Sequence, residues 1–127
     1  MSEQSTFDYA VVRVVPEVER EEFVNVGVIL FCRTGHFLKA RLHFDPQRLA
    51  VLDPTLDLEM VREHLALIPR ICAGGPEAGS LGELSQSERF HWLVAPRSTV
   101  IQVSPVHSGV TDDPQAALDD LFARLVD

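Results

Sequence analysis

The chain has a single lysine, Lys39, and no run of basic residues. Its 11 basic residues face 19 acidic ones, for a net charge of −8. A nucleic-acid backbone is bound by neutralising phosphates with Lys and Arg, so a nucleic-acid partner is not expected, and neither is an anionic membrane surface. Long apolar runs are missing too. The longest, Val28 to Cys32, falls far short of the ~20 residues that span a bilayer. Met1 to Thr6 is polar, without the apolar centre of a signal peptide, and a soluble, cytoplasmic protein is expected. Cysteine is scarce: Cys32 and Cys72, 40 positions apart, read as reduced, buried small hydrophobes rather than as a disulfide.

Several chemical signatures are also absent. There is no Gly-x-Gly-x-x-Gly and no Gly-Lys-Ser/Thr phosphate loop. The five histidines, His36, His43, His64, His91 and His107, are scattered, and no Cys-x-x-Cys or His-x-x-x-His spacing points to a metal. Neither a metal nor a cofactor is expected.

What is present is a globular composition, 46% hydrophobic and 24% charged over 127 residues. That is enough chain for one domain burying about two thirds of its unfolded surface. Only residues 1–6 read as a disordered tip. The strongest strand signal lies in the stretch Glu21 to Arg33, with the strand itself over Val24 to Arg33 and an Asn-Val-Gly inside a β-branched run. Phe7 to Val15 reads as a strand covered on both faces, interrupted by Arg13. His36 to Phe44 alternates, with Leu38, Ala40, Leu42 and Phe44 on one side and Lys39, Arg41 and His43 on the other. It follows a turn at Thr34-Gly35, where Gly35 can supply a positive φ.

Three Asp-Pro pairs, at 45–46, 53–54 and 113–114, read as helix starts, because Asp caps and Pro suits the first helical position. They predict a short helix from Pro46 to Leu52, a longer one from about Asp57 to Ile68 that Pro69 kinks or ends, and a last one from Pro114 to Val126. Ala73 to Pro76 is a stop, and Glu77 to Gly82 a loop. Ser85 and Glu88 form a capping box for a helix from Gln86 to Leu93 carrying Phe90 and Trp92. A fourth strand is expected over Thr99 to Val103, beside the first, and a loop over Val106 to Thr111. The fold class is therefore α+β: a mainly antiparallel sheet of about four strands packed with helices.

Two groups of residues are candidates for binding. The first is Arg97, Ser98 and His107, around an anionic ligand. The short strand between them can separate them by roughly 25 Å if straight, so a Ser98–His107 nucleophile pair requires a fold-back. The competing reading has Arg97 and Ser98 capping the preceding helix. The second is Arg13 and Asn25, which face each other if their strands pair. They either hold an anion or a partner's backbone, or are structural, with Arg13 against a carboxylate such as Glu22 and Asn25 satisfying a bulge at Gly27.

The segments Tyr9-Ala-Val-Val-Arg-Val-Val-Pro16, Glu22-Phe-Val-Asn-Val-Gly-Val-Ile-Leu30, Ile68-Pro-Arg-Ile-Cys-Ala-Gly-Gly-Pro76, Arg89-Phe-His-Trp-Leu-Val-Ala-Pro-Arg-Ser-Thr99 and Ser104-Pro-Val-His107, in this order, resemble a bacterial family of unknown function, the DUF3037 type. The likeness runs from Phe7 to Val126. It implies a small single-domain protein, transfers no catalytic residue, and suggests a HipA-like kinase as a partner. The function expected is that of a non-catalytic accessory or interaction protein, paired with another protein or with its own copies. The alternative is a small enzyme or binding domain for an anionic molecule built on Arg97, Ser98 and His107.

Overall fold

A computed structural model describes residues 4–17, 20, 22–97 and 99–126. Three strands follow one another in antiparallel order: β1 (Ser5–Val14), β2 (Val24–Cys32) and β3 (Phe37–Leu42). Then come helices α1 (Pro46–Leu52) and α2 (Leu58–Ala73), a stretch of 3-10 turns over Pro76–Glu83, and α3 (Gln86–Val94). Two short strands, β4 (Ile101–Val103) and β5 (His107–Thr111), precede α4 (Pro114–Leu125). The sheet runs β3-β2-β1-β4, with β5 also on β1, and every pairing is antiparallel. The α+β expectation is met, with a fifth strand added.

The sheet is the middle of three layers. One face carries Val12, Val14, Val24, Val26, Ile29, Phe31 and Leu38 against α1, α2 and α3, which contribute Leu49, Val61, Leu65, Ile68, Ile71, Phe90 and Leu93. The other face carries Phe7, Val28, Leu30 and Cys32 against Leu118 and Leu121 of α4. Cover on both faces is why β2 is apolar at nearly every position.

A bulge governs this division. Pairing of β1 with β2 steps from Val12–Gly27 to Arg13–Asn25, leaving Val26 as the extra residue. Side chains alternate strictly along a strand, so one extra residue exchanges the faces beyond it. Val24 and Val26 thereby join Ile29 and Phe31 in the larger core, and Asn25 turns to α4, where its Nδ2 donates to Leu125 O at 3.0 Å. Gly27 next to the bulge is held by a close approach. A Cβ there would lie 2.7 Å from Arg41 O and 2.2 Å from Leu42 Cδ2, nearer than β3 can tolerate. A bulge beside Gly27 and a close backbone approach at it are both present, but the Asn25 side chain bonds to α4 rather than to the bulge.

Several boundaries differ from the sequence reading. β1 begins at Ser5, so Ser5 and Thr6 are strand rather than tip; residues 1–3 lie outside the described residues. Gly35 does not take the left-handed conformation in the β2–β3 turn; His36 does, with φ 50. Asp45 and Asp113 cap α1 and α4 as expected, but Asp53-Pro54 starts no helix. The Asp53 carboxylate is occupied by Thr55 N and Oγ1 at 2.9 and 2.7 Å, a local turn, and Asp57 caps α2. Pro69 does not end α2, which continues one further turn to Gly74 because Ile68, Ile71 and Cys72 anchor that turn in the core. The loop expected after it is 3-10, broken at Gly79. Finally, the loop expected over Val106 to Thr111 contains β5, paired with residues 5–9 of β1. Its Ser108-Gly109 has poor strand propensity, but Gly109 stands opposite Phe7. The Phe7 ring covers that position so closely that a Cβ would lie 2.5 Å from it. Among the described residues, no helix is long and apolar enough to cross a membrane.

Candidate functional site

Between α2, α3 and β4 lies a cleft of about 310 Å³. Three elements build it, each for a reason visible in the chain. On α2, His64, Leu67, Ile68 and Ile71 lie three, four and seven residues apart, so they form one stripe along the helix. On α3, Phe90 and Trp92 are two residues apart and cannot share a face. Phe90 takes the core, in ring contact with Phe31 at 5.3 Å, and Trp92 is left at the rim. The third wall is β4, with Ile101, Gln102 and Val103. Leu67 is 45% exposed and Trp92 42%, so the mouth of the cleft presents large apolar surface to water.

Arg97 closes one end. Its Nη1 donates to Leu93 O at 3.2 Å and Ala95 O at 3.4 Å, and its Nη2 to Trp92 O at 2.7 Å. These are carbonyls from the end of α3, which has none of its own donors for them and carries the negative end of the helix dipole. The guanidinium carbon also lies 4.3 Å from the centroid of the Trp92 ring, within cation–π range. Arg97 thus caps the helix, as one of the sequence readings had it, and also lines the cleft. Ser98 lies outside the described residues.

The other candidates are elsewhere. His107 pairs in register with Tyr9 on β5 and contacts its ring at 5.5 Å. Ile101 pairs with Val14. Five positions of β1 therefore separate His107 from the start of β4, about 17 Å at the usual rise, and His107 does not line the cleft. Arg13 and Asn25 are cross-strand partners, as the sequence suggested. Glu22 does not hold Arg13: it pairs with Arg20 at 2.7 Å, and Arg13 instead lies 4.3 Å over the Phe23 ring. Arg13 Nε and Asn25 Oδ1 are buried without a hydrogen-bond partner among the described residues.

Arg89 carries a role that the sequence reading did not assign. It is 8% exposed and donates to Leu84 O at 2.7 Å and Cys72 O at 3.3 Å, tying the 3-10 stretch to the end of α2. Its neighbour is Cys72, 4% exposed. Burial pushes the thiol up to about 12, outweighing the opposite pull of the Arg89 charge, and only the thiolate reacts. Both cysteines are free and buried. Among the described residues no group of three His, Cys, Asp or Glu side chains is placed to hold a metal. What the cleft offers chemically is apolar contact, one cation at its end, one imidazole, and the Thr99 hydroxyl and Gln102 amide.

Two signals in the sequence point to the cleft. Leu67 is apolar but falls off the stripe Val61, Leu65, Ile68 and Cys72, and Trp92 cannot share the Phe90 face.

Comparison with curated proteins and with solved structures finds no match. A family model described as a protein of unknown function, DUF3037, matches residues 9–126; that span takes in every strand and helix around the cleft, and the chain belongs to this family.

Proposed function

We propose that this protein is a non-catalytic interaction module whose cleft between α2, α3 and β4 receives a partner protein. The observation that carries the reading is that Leu67 and Trp92 both line the cleft while each is more than two fifths exposed. A monomer leaves such residues scattered singly without consequence; two of them lining an open apolar cleft mark a binding surface. Aromatic residues and arginine together, as at Trp92 and Arg97, are the residue types that anchor protein interfaces. The family resemblance makes a HipA-like kinase the first partner to examine.

The test is purification of the protein from its native host, with a Leu67→Glu variant alongside. A stoichiometric partner retained by the wild type and by Val51→Glu, which alters an 84% exposed residue of α1, but lost by Leu67→Glu supports the reading. A clean monomer with no retained partner counts against it.

A further inference from the structure

The third wall of the cleft differs from the other two in being an open sheet edge. Val15 N donates to Val100 O at 2.6 Å, and Ser104 N donates to Val11 O at 2.8 Å. In an antiparallel ladder, residues that bond toward one neighbour alternate with residues that face away from it. Val100, Gln102 and Ser104 therefore face β1, and Ile101 and Val103 turn their N–H and C=O groups outward. Thr99 Oγ1 donates to Ile101 O at 2.7 Å. Among the described residues the Ile101 N–H and both Val103 groups are left along the edge, and β4 has no second strand partner.

The side chains of Ile101 and Val103 stand opposite Val14 and Val12, and pack with them toward α2 and α3. Backbone groups pointing along the sheet and an apolar floor below it meet at one line. An α-helix satisfies its own backbone and can match only the floor. An extended chain matches both, with its alternate side chains, about 7 Å apart, dropping onto Leu67, Ile68 and Trp92. Among the described residues the cleft is lined by Arg97 and His64 and by no carboxylate, in a chain of net charge −8, so the complementary occupant carries negative charge near Arg97.

We infer that β4 is extended by an added strand: a peptide segment of a partner protein, with alternating apolar residues and an Asp or Glu beside Arg97, hydrogen-bonds to Ile101 and Val103 and fills the cleft. This rests on the cleft being the partner-binding surface, and goes beyond it in naming the partner's conformation and chemistry.

The experiment pans the full chain against a library of displayed random peptides and measures the enriched sequences as synthetic peptides. Expected are acidic, alternating apolar sequences whose binding slows amide exchange at Ile101 and Val103, is lost in Leu67→Glu, and weakens about tenfold when an edge-facing peptide nitrogen is methylated, the loss of one backbone hydrogen bond. Peptides lost in Leu67→Glu but indifferent to backbone methylation overturn strand addition and leave the cleft as the binding surface. Peptides insensitive to Leu67→Glu, or no enrichment, overturn both readings. A chain that sediments as a dimer, dissociated by Leu67→Glu, would place a second copy on the edge and overturn the peptide.

Discussion

Arg97 lies over Trp92, its guanidinium carbon 4.3 Å from the ring centroid, while donating to the carbonyl oxygen of the same residue at 2.7 Å. One side chain thereby ends helix α3, screens one face of the indole and sets the charge at the end of the cleft. Trp92 is the sole tryptophan of the chain, so fluorescence excited selectively at tryptophan reports this pair. Arg97→Ala should change the Trp92 emission and lower stability by about 1–2 kcal/mol, from one cation–π contact and the cap, measured by urea unfolding. An unchanged spectrum would mean that the stack does not exist in solution.

Gly27 allows β3 to close on β2. Gly27→Ala puts a Cβ against Arg41 O and Leu42 and should cost about 1–3 kcal/mol, the usual range for overpacking. Asn25→Ala should separate from it: the bond to Leu125 O is lost at the end of α4, and hydrogen exchange should quicken there while β3 keeps its protection.

Arg89 joins α2 to the 3-10 stretch through Cys72 O and Leu84 O. Arg89→Met preserves bulk and leaves both carbonyls without that donor, for an expected loss on the order of 2–3 kcal/mol. Thermal unfolding of the variant decides it; a change below a few tenths of a kcal/mol would show that water replaces the guanidinium without penalty.

Ser85 and Glu88 exchange hydrogen bonds at the start of α3, Ser85 N to the Glu88 carboxylate at 3.1 Å and Glu88 N to Ser85 Oγ at 3.2 Å. The backbone bond first and the hydroxyl second hold the Glu88 carboxyl below its usual 4.5. A carboxyl lowered on folding stabilises the native state above its unfolded value and loses that contribution as pH falls through the folded one. The stability difference between wild type and Glu88→Ala should therefore be constant near neutral pH and shrink below about 4.5. Denaturation midpoints measured at stepped pH give the curve; a gap that widens on acidification would contradict the capping box.

Much of the fold could be read locally because its causes are local. Asp45, Asp57, Ser85 and Asp113 cap the four α-helices through bonds to backbone within three residues, which sequence spacing expresses directly. The alternation of β3 and the apolar run of β2 likewise report which faces are covered. Asp53-Pro54 carries the same two letters as the true starts, but Thr55 captures its carboxylate, and a dipeptide cannot say which donor wins. Pro69 shows the opposite conflict, a local breaker overruled by the burial of Ile71 and Cys72. β5 was illegible because its strand character comes from β1, about a hundred residues earlier, and from the Phe7 ring over Gly109.

The candidate residues divide in the same way. Arg97 could be suspected from its neighbours, since the carbonyls it caps are two to five residues away. Its association with His107 in the sequence reading reflected nearness along the chain, and a strand lying straight along β1 keeps the two apart.

By itself the sequence determined the starts of α1, α3 and α4, the three leading strands and the α+β class, and it marked Gly27 as a bulge or a close approach, because capping, alternation and backbone freedom act over a few residues. The tertiary structure alone decided that Val26 is the bulged residue, that Leu67 and Trp92 line one cleft, and that β4 borders it as an open edge. Those relations depend on which strand pairs with which and in what register, and their energies come from contacts between segments far apart in the chain, which no local pattern encodes.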